Sequence, residues 1–309
     1  MIQIKNLTKK YGEAFALNDV SFEIHKGEVV GFLGPNGAGK STTMKIITTF
    51  ISPTSGSVNV AGMDILDNSL EIRKKIGYLP ENVPLYEDMK TVEYLQFIGK
   101  IRGLKKTELS ERIKKMIEVC GLKKVSGKNI GELSKGYRQR VGLAQAMIHN
   151  PEILILDEPT TGLDPNQIAE IRSLIKEIGK DKTVILSTHI LPEVSATCSR
   201  AIIINNGKIA AEGTTKELTS RLQSKNVVYA KIKGSKSDVL KKLSEMENVE
   251  SAKETDLESQ DVIGYKIEAK DNADLREYLF MTVVKNGWSL LELRQEETSL
   301  EDVFRELTK

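Results

Sequence analysis

Gly34-Pro35-Asn36-Gly37-Ala38-Gly39-Lys40-Ser41 is the segment of this chain that says most about its fold. It matches G-x-x-x-x-G-K-[ST], the pattern of a loop that surrounds nucleotide phosphates. The run before it, Glu28 to Leu33 (EVVGFL), predicts a buried strand, and the run after it, Thr42 to Phe50 (TTMKIITTF), predicts a helix. The motif requires this strand–loop–helix context, so we interpret the match as a nucleotide-binding loop rather than a chance glycine-rich turn.

The residue types in this loop suit a chain of phosphates. Glycines allow successive backbone N–H groups to point inward and form an anion-binding nest. The helix that opens at Lys40 adds the positive end of its dipole. Lys40 supplies a point charge for the β- and γ-phosphates, and Ser41 supplies a hydroxyl for Mg²⁺. The loop alone predicts nucleotide binding and does not say which kind of protein uses it.

The composition indicates a globular protein with two domains. The chain has 309 residues, of which 39% are hydrophobic and 28% charged, and one domain per roughly 150 residues is usual. The net charge is +2, so nothing global indicates a nucleic-acid partner. Residues 226–309 contain 13 of the 45 basic and 18 of the 43 acidic residues. This asymmetry favours two different units.

Cysteine content and hydropathy predict where the protein works. Cys120 and Cys198 are too few for a disulfide framework and form no C-x-x-C pattern, so we expect a reduced, cytosolic chain without a cysteine metal site. The N-terminus (MIQIKNLTKKYG) does not resemble a signal peptide. No apolar run approaches the roughly 18 residues that span a bilayer. A role at a membrane would therefore require a second chain with the spanning segments.

The order of predicted elements describes an α/β domain. Strands are predicted at 2–7, 20–24, 28–33, 57–60, 76–79, 153–156, 183–187 and 201–205, and helices at 42–50, 165–178 and 191–198. Strands that alternate with helices imply a parallel sheet covered on both faces. The helical stretch from Lys90 to about Gly131 interrupts this alternation and predicts an inserted subdomain. We place this domain at residues 1–222 and its helical subdomain at about 83–140.

The rest of the chain, residues 223–309, predicts a smaller α+β domain. Strands at 227–232, 249–253, 262–269 and 288–294 alternate with helices at 236–246 and 273–286. The resulting β-α-β-β-α-β order is that of the ferredoxin-like arrangement. A final helix is predicted from Leu300 to Leu307, with Ser299 as its N-cap and Asp302 three residues on.

A second motif that could take part in catalysis is Ile153-Leu154-Ile155-Leu156-Asp157-Glu158, in which a predicted buried strand ends in two carboxylates. In phosphate-loop NTPases the carboxylate at such a strand end holds Mg²⁺. The next carboxylate can polarise the attacking water. Two solvated acids that cap a strand are the alternative, and the phosphate loop argues against it.

A third motif, Leu133-Ser134-Lys135-Gly136-Tyr137-Arg138-Gln139-Arg140, precedes a predicted helix and the carboxylate strand. A serine at a helix N-terminus beside a glycine is a further place where an anion can bind. An ordinary helix cap is the alternative.

Together these motifs resemble the ATP-binding subunit of an ATP-binding-cassette (ABC) transporter. The order is specific: the phosphate loop, a helical insert, LSKGY, ILILDEP, Gly162-Leu163-Asp164 and Ser187-Thr188-His189, over about residues 1–220. The resemblance implies the P-loop NTPase fold of ABC ATPases, with a mixed sheet and an inserted helical subdomain. It also implies an ATPase reaction, from ATP and water to ADP and phosphate, that is coupled to transmembrane transport.

The resemblance assigns catalytic roles by position. Glu158 matches the catalytic base, His189 matches the histidine that contacts the γ-phosphate, and Lys40 matches the phosphate-loop lysine. A lone histidine is more often structural, but the place of His189 directly after a strand favours the functional role. We interpret the other two histidines, His25 and His149, as structural.

ATP and Mg²⁺ are the implied cofactors. Tyr11 matches the aromatic residue that stacks on adenine, with a strand-edge core residue as the alternative. The metal positions are Ser41, Asp157 and Glu81. The other ATP-binding positions are Gly34, Pro35, Asn36, Gly37, Ala38, Gly39, Lys40, Ser41 and Thr42, with Ser134 and Gly136 contributed by a partner subunit.

The resemblance also implies partners and location. Two ATPase subunits, identical or related, would sandwich two nucleotides, each between one subunit's phosphate loop and the other's LSKGY segment. Since ATP favours the closed pair through differential affinity, hydrolysis would release it. The implied partner is a separate membrane permease, with no nucleic acid, and the implied location is cytoplasmic, peripheral on the cytoplasmic face of the cell membrane.

Two motifs depart from the family pattern. Where the family has LSGGQ, this chain has Lys135 and Tyr137, although Ser134 and Gly136 remain. Lys135 beside a phosphate adds favourable charge, whereas the role of Tyr137 is open. The family's glutamine after Tyr-Leu-Pro is Glu81 here, and a carboxylate can also bind Mg²⁺ or orient water.

The C-terminal stretch SLEDVFRELT and the stretch YLPEN-PLYEDM resemble subunits of drug, polysaccharide and gliding-motility exporters. We therefore expect export rather than import, powered by ATP-driven dimerisation and hydrolysis. Two alternatives remain from the sequence. One is an ABC-type ATPase that acts on DNA or ribosomes, although such proteins usually carry a coiled-coil insertion or a second cassette. The other is a regulatory relative with weak hydrolysis, prompted by LSKGY and Glu81.

Overall fold

The computed structural model describes residues 1–222, 227–259, 261–270 and 273–296, together with Phe304, Arg305 and Leu307. The chain divides into two compact units. The first comprises Met1–Thr215 with the described residues of Phe304–Lys309, and the second is Lys216–Val303. At the C-terminal end, the Asn205 amide donates a hydrogen bond to the Leu307 carbonyl oxygen at 3.2 Å, so Leu307 is attached to the first unit.

The first unit is built from alternating strands and helices. In chain order they are β1 (Ile2–Tyr11), β2 (Ala14–Ile24), β3 (Val29–Leu33), α1 (Lys40–Ile47), β4 (Ser55–Val60), β5 (Met63–Asp64), α2 (Ser69–Lys75), β6 (Ile76–Leu79), α3 (Thr91–Ile101), α4 (Lys106–Val119), α5 (Lys135–Met147), β7 (Ile153–Asp157), α6 (Pro165–Gly179), β8 (Thr183–Thr188), α7 (Leu191–Thr197), β9 (Arg200–Asn205) and β10 (Lys208–Gly213). The next helix, α8 (Thr215–Leu222), begins at the last residue of this stretch and continues into the second unit.

A six-stranded mixed sheet forms the centre of this unit. Its order is β10-β9-β3-β8-β7-β6. The five strands β9, β3, β8, β7 and β6 are parallel to one another. Strand β10 pairs antiparallel with β9 at the edge of the sheet. Every residue of β7 and β8 is buried, as expected for parallel strands that are covered on both faces.

The two faces of this sheet belong to two hydrophobic cores. Because side chains alternate along a strand, Ile153 and Ile155 of β7 face the first core, whereas Leu154 and Leu156 face the second. The first core lies against α1 and a second, antiparallel sheet of order β2-β1-β4-β5. The second core lies against α3, α4, α5 and α6. Both faces of the sheet are therefore covered, as the sequence predicts: one by α3, α4, α5 and α6, and the other by α1 and the antiparallel sheet.

Several elements differ from the sequence prediction for physical reasons. Strand β10 was not predicted, because its sequence KIAAEG carries one buried residue at its end and otherwise lies partly exposed at the sheet edge. Helix α2 was missed because it is short and buries only Ile72. Helix α1 ends at Ile47 rather than at Phe50, since Thr48 leaves the helical conformation and Thr49 has a positive φ of 61°.

Glycine is required where the phosphate loop passes close to neighbouring backbone. A β-carbon at Gly34 would overlap the Ile204 carbonyl oxygen of β9. Gly39, which precedes α1, has φ 110°, and a β-carbon there would lie 2.7 Å from the Ala16 carbonyl oxygen. The loop therefore packs directly against β9 and β2, which fixes its position at the end of β3.

The second unit is a four-stranded antiparallel sheet with two helices. Its elements are β11 (Val227–Lys233), α9 (Lys236–Ser244), β12 (Val249–Ser259), β13 (Val262–Ala269), α10 (Arg276–Lys285) and β14 (Ser289–Glu296). The sheet order is β12-β13-β11-β14, and all pairs are antiparallel. This order is the one that a split β-α-β-β-α-β arrangement gives. A separate core that includes Ile232, Tyr265 and Leu279 holds the unit together.

The predicted elements of this unit differ mainly at their ends. Strand β12 extends to Ser259 rather than stopping at Lys253, because it pairs along most of β13. Helix α10 begins at Arg276, three residues later than predicted. The predicted final helix from Leu300 to Leu307, with Ser299 and Asp302, lies largely outside the described residues. Phe304, Arg305 and Leu307 are helical.

Among the described residues, no helix is both long enough and apolar enough to cross a membrane.

His149, in the turn two residues after the end of α5, gives the fold a pH dependence. Its Nε2 lies 3.1 Å from the Ile76 carbonyl oxygen. Burial, and then the positive charge of Arg102, lower the pKa of His149 to about 4. Because the unfolded chain binds this proton near the usual pKa of about 6.5, the free energy of unfolding should fall as the pH falls from about 6.5 towards 4.

We expect His149→Gln, which keeps a donor for Ile76 but cannot titrate, to lose less stability than the wild type between pH 7 and pH 5. Urea unfolding followed by circular dichroism measures the difference. His25→Gln, at an exposed position, is the matched control and should retain the wild-type pH dependence. An identical pH dependence in His149→Gln would contradict the assignment.

Candidate nucleotide-binding site

The parallel order of the central sheet brings the candidate residues to one edge. Strands β3, β7 and β8 are neighbours, and their carboxyl ends lie side by side. In the sheet register, Leu33 pairs with Thr188 and Asp157 pairs with Ser187. The phosphate loop follows β3, Glu158 follows β7, and His189 follows β8. Ligands of open α/β sheets bind at this carboxyl edge.

A cavity of about 340 Å³ opens at this edge. Nine of the residues predicted for the site line it, together with Ala16 and Thr161. The nine are Asn36, Gly37, Gly39, Lys40, Ser41, Thr42, Glu81, Glu158 and His189. Gly37 and Gly39 have positive φ, and no side chain caps the N-terminus of α1. The backbone N–H groups of the loop and of the first turn are therefore suited to an anion.

Lys40 lines the cavity, and its ammonium contacts both the phosphate loop and Glu158. Its Nζ donates hydrogen bonds to the carbonyl oxygens of Gly34 at 2.8 Å and Pro35 at 3.2 Å. The same nitrogen lies 3.3 Å from Glu158 Oε1. Both charged side chains are almost completely buried. The pair is thus a buried ion pair, in which removal of one partner leaves the other charge without compensation.

Glu158 connects Lys40 to His189. Its Oε2 lies 2.9 Å from His189 Nδ1 and accepts a hydrogen bond from Thr161 Oγ1 at 3.4 Å. The backbone of Glu158 has φ 49°, in the left-handed region that a non-glycine residue rarely adopts. The chain turns at this point, so that Asp157 and Glu158 can both lie at the site although neighbouring strand residues face opposite sides.

Asp157 connects the end of β7 to the phosphate loop. Its Oδ1 accepts a hydrogen bond from Ser41 Oγ at 3.2 Å and a second one from Ser187 Oγ. A carboxylate and a serine hydroxyl within hydrogen-bond distance are oxygen ligands of the kind that Mg²⁺ takes in nucleotide sites. Glu81 lines the same cavity and adds a further carboxylate.

The pKa of Tyr78 in β6 is affected by burial and by the negative charges of Asp157 and Glu81. Burial, followed by the charges of Asp157 and Glu81, raises the pKa of its phenol above the usual range. Its hydroxyl is buried, and it has no hydrogen-bond partner among the described residues. Burial and the charges of Asp157 and Glu81 therefore favour the neutral form of this tyrosine. The sequence analysis missed Tyr78, because a tyrosine in the strand IGYL reads as a core residue.

Seven predicted residues are not part of this cavity lining. Four of them, Gly34, Pro35, Ala38 and Asp157, belong to the phosphate loop or contact it, and the other three are Tyr11, Ser134 and Gly136. Tyr11 at the end of β1 is 55% exposed, with the Lys9 ammonium 5.2 Å from its ring centroid, so it is not the core residue considered as the alternative. Ser134 and Gly136 line a different cavity of about 480 Å³ with Lys123 and Lys124. Within one chain the LSKGY segment and the phosphate loop are therefore not brought together.

The LSKGY segment forms the start of α5. Ser134 is the N-cap, and its Oγ accepts a hydrogen bond from the Tyr137 N–H at 3.4 Å. Gly136 packs against Gln167, where a β-carbon would lie 2.7 Å from its side-chain carbon. A β-carbon at Gly162 would collide with the Lys135 ammonium. Lys135, one of the residues that depart from the family pattern, thus lies against Gly162 in the loop between β7 and α6.

Known proteins similar to this chain share the cassette. The family model described as "ABC transporter" matches residues 17–161, and a model described as an AAA domain matches residues 128–196. The linearmycin resistance ATP-binding protein LnrL of Bacillus subtilis is 33% identical over 309 residues, which cover 100% of this chain and 98% of that protein. The bacitracin transport ATP-binding protein BcrA of Bacillus licheniformis is 34% identical, with 99% and 97% coverage.

A solved structure supports the same assignment. The dimeric post-hydrolysis state of the ATP-binding cassette MJ0796, bound to ADP and Pi, matches with a TM-score of 0.64 and 29% identity, over 69% of this chain and 98% of that one. The phosphate loop, the carboxylate strand and His189 converge at one cavity, as in a P-loop ATPase. This chain belongs to the ABC transporter family, as an ATP-binding and ATP-hydrolysing subunit.

Proposed function

We propose that ATP is hydrolysed at the 340 Å³ cavity by in-line attack of water on the γ-phosphate, with Glu158 as the residue that orients the water and accepts its proton. The observation that carries the proposal is the position of this carboxylate. It is buried between Lys40 at 3.3 Å and His189 at 2.9 Å, directly above the phosphate loop. Burial and two fixed neighbours hold it in one orientation, as a general base requires.

Lys40 and the loop supply the charge stabilisation. The Lys40 ammonium and the inward N–H groups of the loop are suited to the negative charge that develops on the β- and γ-phosphates. The Gly34 and Pro35 carbonyls and Glu158 occupy its donors in this structure, so Lys40 has to exchange at least one of these contacts for a phosphate oxygen. His189, whose side chain is 42% exposed, reaches the cavity mouth and contacts the γ-phosphate.

Ser41, Asp157 and Glu81 would hold Mg²⁺. Their hydroxyl and carboxylate oxygens form a donor set suited to a hard divalent cation, and Ser41 and Asp157 already lie 3.2 Å apart. Mg²⁺ at this position offsets negative charge on the β- and γ-phosphates. Asp157 accepts hydrogen bonds from two serines, which orients its carboxylate towards the loop.

The site is completed by a second ATPase subunit, identical or related. Ser134 and Gly136 lie in a cavity separate from the phosphate loop, so the LSKGY segment serves the nucleotide of the partner. The MJ0796 cassette, a similar protein, is dimeric. Tyr11 at the end of β1, exposed and accessible, stacks on the adenine.

The ATPase powers a separate membrane permease of the export type. This proposal is supported by LnrL and BcrA, which are named for linearmycin resistance and bacitracin transport and which align with this chain over almost its whole length, including residues 223–309. The C-terminal domain is thus an accessory domain of this exporter type. The protein would lie on the cytoplasmic face of the cell membrane, bound to its permease.

Glu158→Gln tests the catalytic assignment. The amide keeps the size of the side chain but cannot accept a proton, so we expect kcat for ATP hydrolysis to fall by about 100-fold or more while ATP binding persists. ATP should then hold the variant as a dimer in size-exclusion chromatography. Glu152→Gln, which alters an exposed carboxylate paired with Lys75, should hydrolyse ATP normally. Normal turnover by Glu158→Gln would reject the role of Glu158.

Lys40→Met tests the phosphate loop. We expect loss of ATP binding, measured with a fluorescent ATP analogue, and a loss of stability of about 3 kcal/mol because Glu158 is left as a buried charge. The double variant Lys40→Met/Glu158→Gln should recover most of the stability but not the binding. This separates a folding defect from a lost phosphate contact. Unchanged ATP affinity in either variant would contradict the assignment.

Co-purification tests the permease. An affinity-tagged chain should retain an integral membrane protein from detergent-solubilised membranes of its own organism, and that complex should hydrolyse ATP faster than the isolated subunit. Recovery of ribosomal or DNA-bound proteins instead would favour the alternative of an ATPase that acts on those partners.

A further inference from the structure

Glu193 is a buried carboxylate that the catalytic proposal does not use. It lies in the first turn of α7, outside the cavity lining, and its residue is 0% exposed. A fully buried acid is unusual unless its charge is paired or hydrogen-bonded. The contacts of its two oxygens therefore indicate what it does.

The two oxygens of Glu193 accept hydrogen bonds from two different loops. Oε2 accepts from Thr188 Oγ1 at 2.9 Å, and Oε1 accepts from Thr160 Oγ1. The Arg172 guanidinium of α6 lies 4.0 Å from Oε1 and supplies the opposite charge. Both threonines are buried as well. One carboxylate thus joins the end of β8 to the loop that follows β7.

Each threonine lies within two residues of a candidate catalytic residue. Thr188 directly precedes His189, and its Oγ1 also accepts a hydrogen bond from the Ile190 N–H at 3.1 Å. This hydroxyl therefore fixes the backbone on both sides of His189. Thr160 lies two residues after Glu158, and its carbonyl oxygen accepts from the Leu163 N–H at 3.1 Å.

We propose that Glu193 is a positioning residue that holds Glu158 and His189 within hydrogen-bond distance of each other. Its hydrogen bonds to Thr160 and Thr188 set the spacing of the two loops at a place that does not line the cavity. The 2.9 Å contact between Glu158 Oε2 and His189 Nδ1 joins the same two loops at the cavity. The inference rests on the proposed roles of Glu158 and His189.

A carboxylate is the side chain that this link requires. Its two oxygens are both acceptors, so it can receive one hydroxyl from each loop. Glutamine has the same shape, but only one of its two terminal atoms accepts a hydrogen bond. One of the two threonine hydroxyls would have to reverse from donor to acceptor, and the negative charge opposite Arg172 is lost. Because a catalytic group displaced by about 1 Å can lose about 100-fold in rate, we expect loss of one link to affect kcat rather than ATP binding, which depends on the phosphate loop.

The test compares Glu193→Gln, Thr188→Val and Thr160→Val with Thr197→Val. Thr197 lies in the same helix as Glu193, α7. Its hydroxyl is buried and has no hydrogen-bond partner among the described residues, so the Thr197→Val variant removes a hydroxyl that makes no link. We expect each of the first three variants to lower kcat about 10-fold with less than a twofold change in the KM for ATP. Thr197→Val should keep the wild-type kcat.

A spectroscopic readout separates positioning from general stability. The chain has three histidines, so the imidazole proton resonances can be assigned by single substitutions. At fixed pH, Glu193→Gln and Thr188→Val should shift the resonances of His189 and leave those of His25 and His149 in place. Because the two threonine variants remove only a hydroxyl, they carry the test if Glu193→Gln does not fold.

The proposal is overturned if the variants that fold lower the melting temperature but keep the wild-type kcat and the wild-type His189 resonances. It is also overturned if kcat and KM change together and all three histidines shift, since that result indicates general loss of structure. Failure of the proposed function gives a different result. In that case His189→Ala keeps full ATPase activity, whereas Glu193→Gln still shifts the His189 resonances.

Discussion

The site depends on one constraint, the parallel alignment of β3, β8 and β7 with their carboxyl ends at the same edge. The sheet register brings Leu33 opposite Thr188, and Ser187 opposite Asp157, so the three loops begin on three successive strands, with β8 in the middle. The close packing of Gly34 against the Ile204 carbonyl of β9 then fixes the phosphate loop on this edge. A shift of one residue in any of these strands would turn the carboxylates away from the loop.

Buried charge is the second element of the design, and it is concentrated at this edge. Lys40 and Glu158 form a buried pair, and Glu193 is buried behind them beside Arg172. Such pairs contribute little net stability, since desolvation offsets most of the attraction. Glu158 also has a strained backbone with φ 49°. An apolar arrangement would hold these loops with less strain, so the polar arrangement is better explained by function than by stability.

The site residues that could be predicted from the sequence are those that belong to a local sequence pattern. The phosphate loop, the two carboxylates after ILIL and His189 after TVILST each follow a strand with a strong apolar signal, and the cavity lining contains residues from all three. Glu193 and Thr160 were missed because their relation is visible only once β7 and β8 are adjacent. The edge strand β10 and helix α2 were missed because few of their residues are buried.

One half of the predicted nucleotide site is not formed within a single chain, and the physical reason is geometric. Ser134 at the start of α5 lines another cavity, and Lys135 and Gly136 pack against Gly162 and Gln167, in and after the loop that follows Glu158. That loop is held by Thr160 to Glu193 and so to the strand end that carries His189. A partner that binds the LSKGY surface would therefore press on the same loop that positions Glu158. The loop after Glu158 thus contacts the LSKGY segment through Gly162 and Lys135, and it contacts Glu193 through Thr160.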